Sequence, residues 1–339
     1  MKVVMYHTNC NDGLISAYNL WKVFGSKDVI YIPVNYKPIQ DMEAMEALDY
    51  VFNSYINSEK TISSTKYFFK DNKVTVDDIK EMELYVVDYS FPVEHFQKHI
   101  NLFKSVLVLD HHDTAIQSYI KTFKYDLIEN NWLSIKIGEN AQVIFSEKES
   151  GAKLTYMYFN KGLEVPTFIE LASDRDLWKF DLKYSRAFKY GCDLFQLEDF
   201  NRIDNLMKHS VSNIIFVGEK YENYFNARLA KIIKQNTFEI KAIINGETYR
   251  CAMINTFPDI ASDICDLTIQ RDGYDMAIAY NIDTRQDVAC SLRSRVGLDS
   301  SKLSLSRGGG GHKRASGFTI SLEEFNKIVT NKLIEVNNG

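Results

Sequence analysis

Three short runs of the chain are apolar at every position rather than at every second one: Val3-Val4-Met5-Tyr6, Leu84-Tyr85-Val86-Val87 and Val106-Leu107-Val108-Leu109. A strand with one wet face alternates polar and apolar residues. Uninterrupted runs of this length mark strands covered on both faces, as in a parallel sheet. Helical periodicity lies between them, over Leu14–Phe24 after the first run and Val93–Phe103 before the third. The order β-α-β-α-β predicts an open, mostly parallel α/β sheet. Residues 41–83 exceed a minimal crossover and read as helix plus polar loop, and 150–172 read as helical with Pro166 near a helix start. A first domain is expected over 1–194.

Beyond it the pattern changes. Residues 195–240 are mostly helical in period, with Tyr221–Ile233 charged and amphipathic, and read as a connector. Asn245-Gly246 marks a turn, followed by strands over Tyr249–Asn255, Met276–Asn281 and Val288–Arg293. A glycine run, Gly308–Gly311, precedes a closing helix over Leu322–Val336. The expected fold class is α/β throughout: an N-terminal, mostly parallel sheet domain, a helical connector, and a smaller α/β domain over 241–339.

Composition adds three constraints. A length of 339 residues suits two domains, and 45% hydrophobic with 25% charged residues is ordinary for a globular chain. The net charge of −5 argues against coating long nucleic acid, which needs a basic face. Residues 285–314 run the other way, with Arg285, Arg293, Arg295, Lys302, Arg307, Lys313 and Arg314 against Asp287 and Asp299, the makings of a local anion site. The five cysteines are scattered and no CxxC occurs, so a reducing cytoplasm is expected. The strand-like run at Lys2–Tyr6 leaves no room for a signal peptide. No apolar run reaches the ~20 residues of a membrane span.

Each apolar run ends in potential metal ligands. The first leads into His7-Thr8-Asn9-Cys10-Asn11-Asp12-Gly13, the second into Asp88, the third into Asp110-His111-His112-Asp113. In an open α/β sheet such strand ends converge. Asp174, with Asp176 two residues on, follows a helical run. Carboxylates and imidazoles without thiolates suit Mn²⁺ or Mg²⁺, with Fe²⁺ or Zn²⁺ behind them. Clustered carboxylates repel unless cations neutralise them. Cys10 reads as a packing residue, as do Tyr89, Phe91 and Trp178, each also able to stack on a base.

These motifs, in this order, resemble the DHH phosphoesterase superfamily. The resemblance rests on His7 to Gly13, Val-Val-Asp88, Asp110-His111-His112 and Ser-Asp174. Ser291-Leu292-Arg293-Ser294 and the run Arg307 to Phe318 add to it, similar to an arginine strand and a glycine-rich signature of the associated C-terminal domain. It covers nearly the whole chain and implies two domains with a catalytic cleft. It also implies two Mn²⁺ ions, with Mg²⁺ or Co²⁺ as substitutes, held by His7, Asp12, Asp88, His111 and Asp174. Asp88 would bridge them, His112 would face the phosphate, and Asp110 would support the histidines. Relatives carry aspartates four and six residues after the first histidine, where this chain has Asn11 and Gly13. The ion nearest His7 is therefore expected to be the weaker.

Arg293, Ser294, Gly309, Gly310, Gly311, His312 and Arg314 are expected to hold substrate, the glycines by exposing backbone N–H groups to an anion. The implied activity is hydrolysis of small nucleotide phosphoesters, such as short single-stranded oligoribonucleotides or dinucleotides, by metal-activated water. No membrane or long nucleic acid partner is expected. A pyrophosphatase or exopolyphosphatase, and a catalytically weak nucleotide-binding protein, are the alternatives.

Overall fold

The computed structural model describes residues 1–8, 10–34, 76–195, 200–209 and 211–336. The helix and loop expected over 41–83 fall mostly outside these residues. The chain divides into two compact units, Met1–Tyr221 and Glu222–Gly339. That boundary lies inside the expected connector, within one continuous helix.

In the first unit the described elements are β1 (Lys2–His7), α1 (Asn11–Phe24), β2 (Val29–Val34), α2 (Val76–Lys80), β3 (Glu83–Val87), α3 (Val93–His99), β4 (Ser105–Asp110), α4 (Asp113–Thr122), β5 (Asp126–Leu127), β6 (Leu133–Ile137), β7 (Ala141–Phe145), α5 (Gly151–Phe159), α6 (Thr167–Asp176), α7 (Ser185–Leu194), α8 (Phe200–His209) and the first part of α9 (Val211–Asn236). The sheet order is β2-β1-β3-β4-β7-β6-β5. Pairing is parallel from β2 through to β7 and antiparallel from β7 through β6 to β5.

The uninterrupted apolar runs have the cause inferred from sequence. In β1, Val3 and Met5 pack into one core layer, while Val4 and Tyr6 pack into the other. Val86 and Val108 join the first layer, and Val87 and Leu109 the second. The strands β2 and β5–β7 were not anticipated. The expected 93–103 helix tightens into a 3₁₀ turn at Ile100–Leu102. The 150–172 stretch is two helices, α5 and α6, with Pro166 immediately before the second.

The second unit contains the rest of α9, then β8 (Thr237–Ile244), β9 (Glu247–Asn255), α10 (Ala261–Asp272), β10 (Met276–Ile282), β11 (Asp287–Ser294), α11 (Ser301–Leu305), β12 (Gly310–His312), β13 (Ala315–Ser321), α12 (Leu322–Asn331) and β14 (Leu333–Glu335). Its sheet order is β12-β13-β11-β10-β9-β8-β14. Asn245-Gly246 forms the two-residue turn between β8 and β9, both residues at positive φ, as a hairpin of that length demands. Ser321 caps α12 by accepting from the Glu324 amide, the S-x-x-E pattern of a helix start. The expected closing helix stops early, at left-handed Lys332, because Ile334 is buried where β14 adds in parallel to the edge of β8. No helix among the described residues is long and apolar enough to cross a membrane.

Candidate metal centre

The carboxyl ends of β1, β3 and β4, neighbours in the first unit's sheet, deliver His7, Asp88 and Asp110-His111-His112 to one place. Helix ends supply the rest. The start of α1 brings Asp12, the end of α6 brings Asp176, and the start of α5 closes over them. Gly13 allows α1 to turn back on β1, since a Cβ there would lie 2.1 Å from the His7 carbonyl oxygen. Gly151 allows α5 to approach, since a Cβ there would lie 2.6 Å from the Asp88 Cβ and 2.9 Å from Asp12 Oδ2.

Asp88 is at the centre. It is buried and adopts a left-handed backbone at φ 55°, a conformation aspartate tolerates better than most residues. Its amide extends the β3–β4 ladder to the Leu109 carbonyl at 2.9 Å. Its Oδ1 lies 3.0 Å from His111 Nε2. Its Oδ2 is buried without a hydrogen-bond partner among the described residues, with His7 Nδ1 3.6 Å away. Asp176 divides in the same manner, Oδ1 3.9 Å from Cys10 Sγ and Oδ2 3.4 Å from His111 Nε2. Two of the resulting groups of ligand atoms, each spanning at most 4.8 Å, are His7, Cys10 and Asp88, and Asp12, His111 and Asp176; Asp88, Asp110, His111 and His112 form another.

Asp12 lies at the N-terminus of α5. Its Oδ1 accepts from Ser150 Oγ at 2.6 Å and the Ala152 amide at 3.2 Å, where the helix dipole favours a negative charge. Even so, burial and the charges of Asp176 and Asp88 hold its carboxyl well above the usual carboxylate range. Burial, with Asp88, Asp176 and Asp12, likewise pushes the Cys10 thiol up. Burial opposes ionisation of Asp88 too, but the hydrogen bonds and charges of the surrounding histidines hold that carboxyl far below its ordinary value. The buried carboxylates of Asp12 and Asp88, with the half-buried Asp176 beside them, are a fitting cage for divalent cations, whose charge removes the repulsion that burial magnifies.

Asp110 falls in a ligand-atom group with Asp88 and the two histidines, and both its oxygens are also engaged in hydrogen bonds. Its Oδ2 accepts from Ser90 Oγ at 2.6 Å, and its Oδ1 accepts from the His111 amide at 2.7 Å. The same Oδ1 meets His112 Nδ1 at 2.7 Å, which fixes that nitrogen as the protonated one. Burial works against a charged ring here. The charge and hydrogen bond of Asp110, with Asp88 and Asp176, nonetheless carry the His112 imidazole up to about 10 from its ordinary 6.5. Raised in the folded state, this group stabilises the cation-free protein fully below about pH 6.5, and that share is lost as pH climbs toward about 10. Denaturant unfolding across this window, with cations chelated, is expected to show wild type losing more stability than His112→Asn. Parallel curves for the two proteins would remove the assignment.

Asp174 lies elsewhere. Its two oxygens accept from the amides of Asp181 and Leu182 at 2.9 and 3.2 Å, shaping the segment after α6. It is Asp176 that reaches the cluster. Tyr89 is fully buried against Phe91, and Trp178, at left-handed φ 56°, stacks under the Arg175 guanidinium at 3.9 Å.

In the second unit, Arg293 donates from Nη2 to Ser262 Oγ at 2.5 Å and from Nη1 to the Leu292 carbonyl at 2.6 Å. The buried Ser294 hydroxyl donates to the Leu298 carbonyl at 2.7 Å, an internal tie. The glycine run is a hairpin edge, with Gly310 opposite Gly317, Gly311 opposite Ser316 and His312 opposite Ala315. The Gly309 amide donates to the Ser304 carbonyl at 2.8 Å, and a Cβ on Gly309 would lie 2.1 Å from the Gly317 carbonyl oxygen. Close strand approach therefore accounts for Gly309 without an anion. Arg314 turns Nε to the Ser294 carbonyl at 3.4 Å.

No family model matches the chain. The uncharacterized protein R106 of Acanthamoeba polyphaga mimivirus is 25% identical over 324 residues, covering 94% of this chain and 67% of its own. Among solved structures, RecJ in complex with Mn²⁺ from Thermus thermophilus aligns over 98% of this chain with a TM-score of 0.50 at 13% identity. The match covers 53% of the RecJ chain, so this chain spans about half its length. PggH of Vibrio cholerae, a pGpG-specific phosphodiesterase, aligns over 97% of this chain and 96% of its own, with a TM-score of 0.44 at 13% identity. The likeness to RecJ is one of fold: the chain shares a two-sheet α/β fold with that protein.

Proposed function

We propose that the chain is a divalent-cation-dependent phosphoesterase that hydrolyses small nucleotide phosphoesters. The observation that carries this is the largely buried cluster of Asp12, Asp88, Asp176, His7 and His111 beside the carboxyl ends of three adjacent strands. Asp176 takes the place expected for Asp174. A RecJ structure in complex with Mn²⁺ supports a divalent ion in this fold.

Bound there, divalent cations would polarise a phosphoryl oxygen and lower the pKa of a bound water. The chain's own residues do the rest. Asp88 and Asp176 each turn one oxygen to either group of ligand atoms and so hold the two groups in register. Asp110 accepts from His112 Nδ1 and favours the charged ring, which leaves the Nε2 N–H to donate to a non-bridging phosphoryl oxygen. The N-terminus of α5, through Ser150 and Ala152, orients Asp12. In the second unit, Arg293, His312 and Arg314 remain our candidates for anion binding. The five free cysteines support a reducing, cytoplasmic setting.

The test is a panel of linear and cyclic dinucleotides, short RNAs, 3′-phosphoadenosine 5′-phosphate and pyrophosphate, with each of several divalent cations, resolved by chromatography. Release of mononucleotide from a dinucleotide or short RNA is expected. Phosphate from pyrophosphate alone would mark a pyrophosphatase instead. Tight nucleotide binding without turnover at saturating metal would mark a binding protein.

A further inference from the structure

We propose that Cys10 is a metal ligand, and that its thiolate makes the cation site nearest His7 select a softer ion than a wholly carboxylate and imidazole site would. This rests on the metal-centre reading above and deepens it. The sequence alone gives Cys10 no such role, because a cysteine beside an aspartate is usually packing.

The placement changes that. Cys10 Sγ, a His7 ring nitrogen and an Asp88 oxygen lie within 4.8 Å of one another, a compact three-ligand set. Asp176 Oδ1 lies 3.9 Å from the sulfur. The independent sign of a cation site is Asp88 Oδ2. It belongs to a residue 1% exposed, faces this group, and has no hydrogen-bond partner among the described residues. The other four cysteines, Cys192, Cys251, Cys265 and Cys290, are buried and stand in none of the candidate metal groups of the described residues.

One thiolate, one imidazole and one carboxylate favour Zn²⁺, Fe²⁺ or Co²⁺, whereas oxygen-rich sites favour Mn²⁺ or Mg²⁺. The group of Asp12, His111 and Asp176 has no sulfur and remains the harder site. The two positions then take different ions by chemistry rather than by raw affinity. On binding, the thiol loses its proton to solvent as the sulfur–metal bond forms, so uptake of the cation releases that proton.

The experiment uses the full chain stripped of metal and reloaded with Co²⁺, Zn²⁺ or Mn²⁺. Wild type with Co²⁺ is expected to show a near-ultraviolet thiolate-to-cobalt band that Cys10→Ser lacks. Zn²⁺ should also slow alkylation of Cys10, read by peptide mass spectrometry on the unmutated protein. Removing a direct ligand should cost Zn²⁺ affinity no less than the ~10–100-fold that losing an outer partner does. Cys10→Asp should move the Zn²⁺-to-Mn²⁺ affinity ratio toward Mn²⁺ by about tenfold or more. Asp88→Asn separates the two levels. If it abolishes metal binding while Cys10→Ser leaves the Co²⁺ spectrum and Zn²⁺ affinity unchanged, the cysteine assignment falls and the metal centre stands. Wild-type binding in Asp88→Asn would overturn both. Unprotected alkylation of Cys10 in Zn²⁺-loaded wild type would overturn the cysteine assignment whatever the variants do.

Discussion

Asp88→Asn is expected to lower kcat/KM on the responsive phosphoester by about 10³-fold or more, roughly 4 kcal/mol of transition-state stabilisation. The size follows from position. One oxygen meets His111 at 3.0 Å and the other lies toward His7 and Cys10, so one side chain serves both groups of ligand atoms. Asparagine keeps the shape, tolerates the left-handed backbone at φ 55° and replaces one oxygen with a donor that repels a cation. The fold should therefore survive. Calorimetric titration of divalent cations should show at least one site lost, with the circular dichroism spectrum unchanged. A variant that turns over at the wild-type rate would remove Asp88 from the centre and the proposed function with it.

The second large effect is expected at a residue with no chemistry of its own. Gly151→Val would place a branched side chain where a bare Cβ already falls 2.6 Å from the Asp88 Cβ and 2.8 Å from its Oδ1. Either α5 retreats, taking Ser150 and Ala152 away from Asp12, or the two aspartates are pushed apart. A displacement of about an ångström at a reacting centre costs about 10²-fold in rate. Overpacking of this kind costs about 1–3 kcal/mol of stability. Loss of activity and weaker cation binding, together with a modest fall in melting temperature, is the expected pattern. Destabilisation with intact cation affinity would show that α5 does not shape the site.

The strand-borne part of this site was legible because two simple rules coincide. Runs apolar at every position announced β1, β3 and β4, and residues at the ends of such strands converge. His7, Asp88 and His111 follow from those rules, and the structure places them together. Helix-borne residues were harder to read. Asp174 and Asp176 stand two positions apart on α6, about 200° around the helix, so only one can face the cluster. The sequence carries no sign of which. The packing of α6 decides for Asp176 and turns Asp174 to the amides of Asp181 and Leu182. Cys10 was passed over because its side chain has no strand-end logic. The small-residue run Ser150-Gly151-Ala152 before an apolar stretch was the available signal for α5, a capped helix start that lets backbone approach closely. The sequence did not show that Gly309 also has a packing reason to be glycine, its close approach to the Gly317 carbonyl.

The ligand atoms come from residues 7, 10, 12, 88, 111 and 176, scattered along most of the first unit. Parallel pairing of β1 with β3, and of β3 with β4, closes long loops before any contact repays them, which makes such assembly slow. The group of Asp12, His111 and Asp176 cannot assemble until α6 has been synthesised and docked, whereas His7, Cys10 and Asp88 all come from the first 88 residues. If the centre takes up cations as proposed, its two groups of ligand atoms would be completed at different stages of chain synthesis.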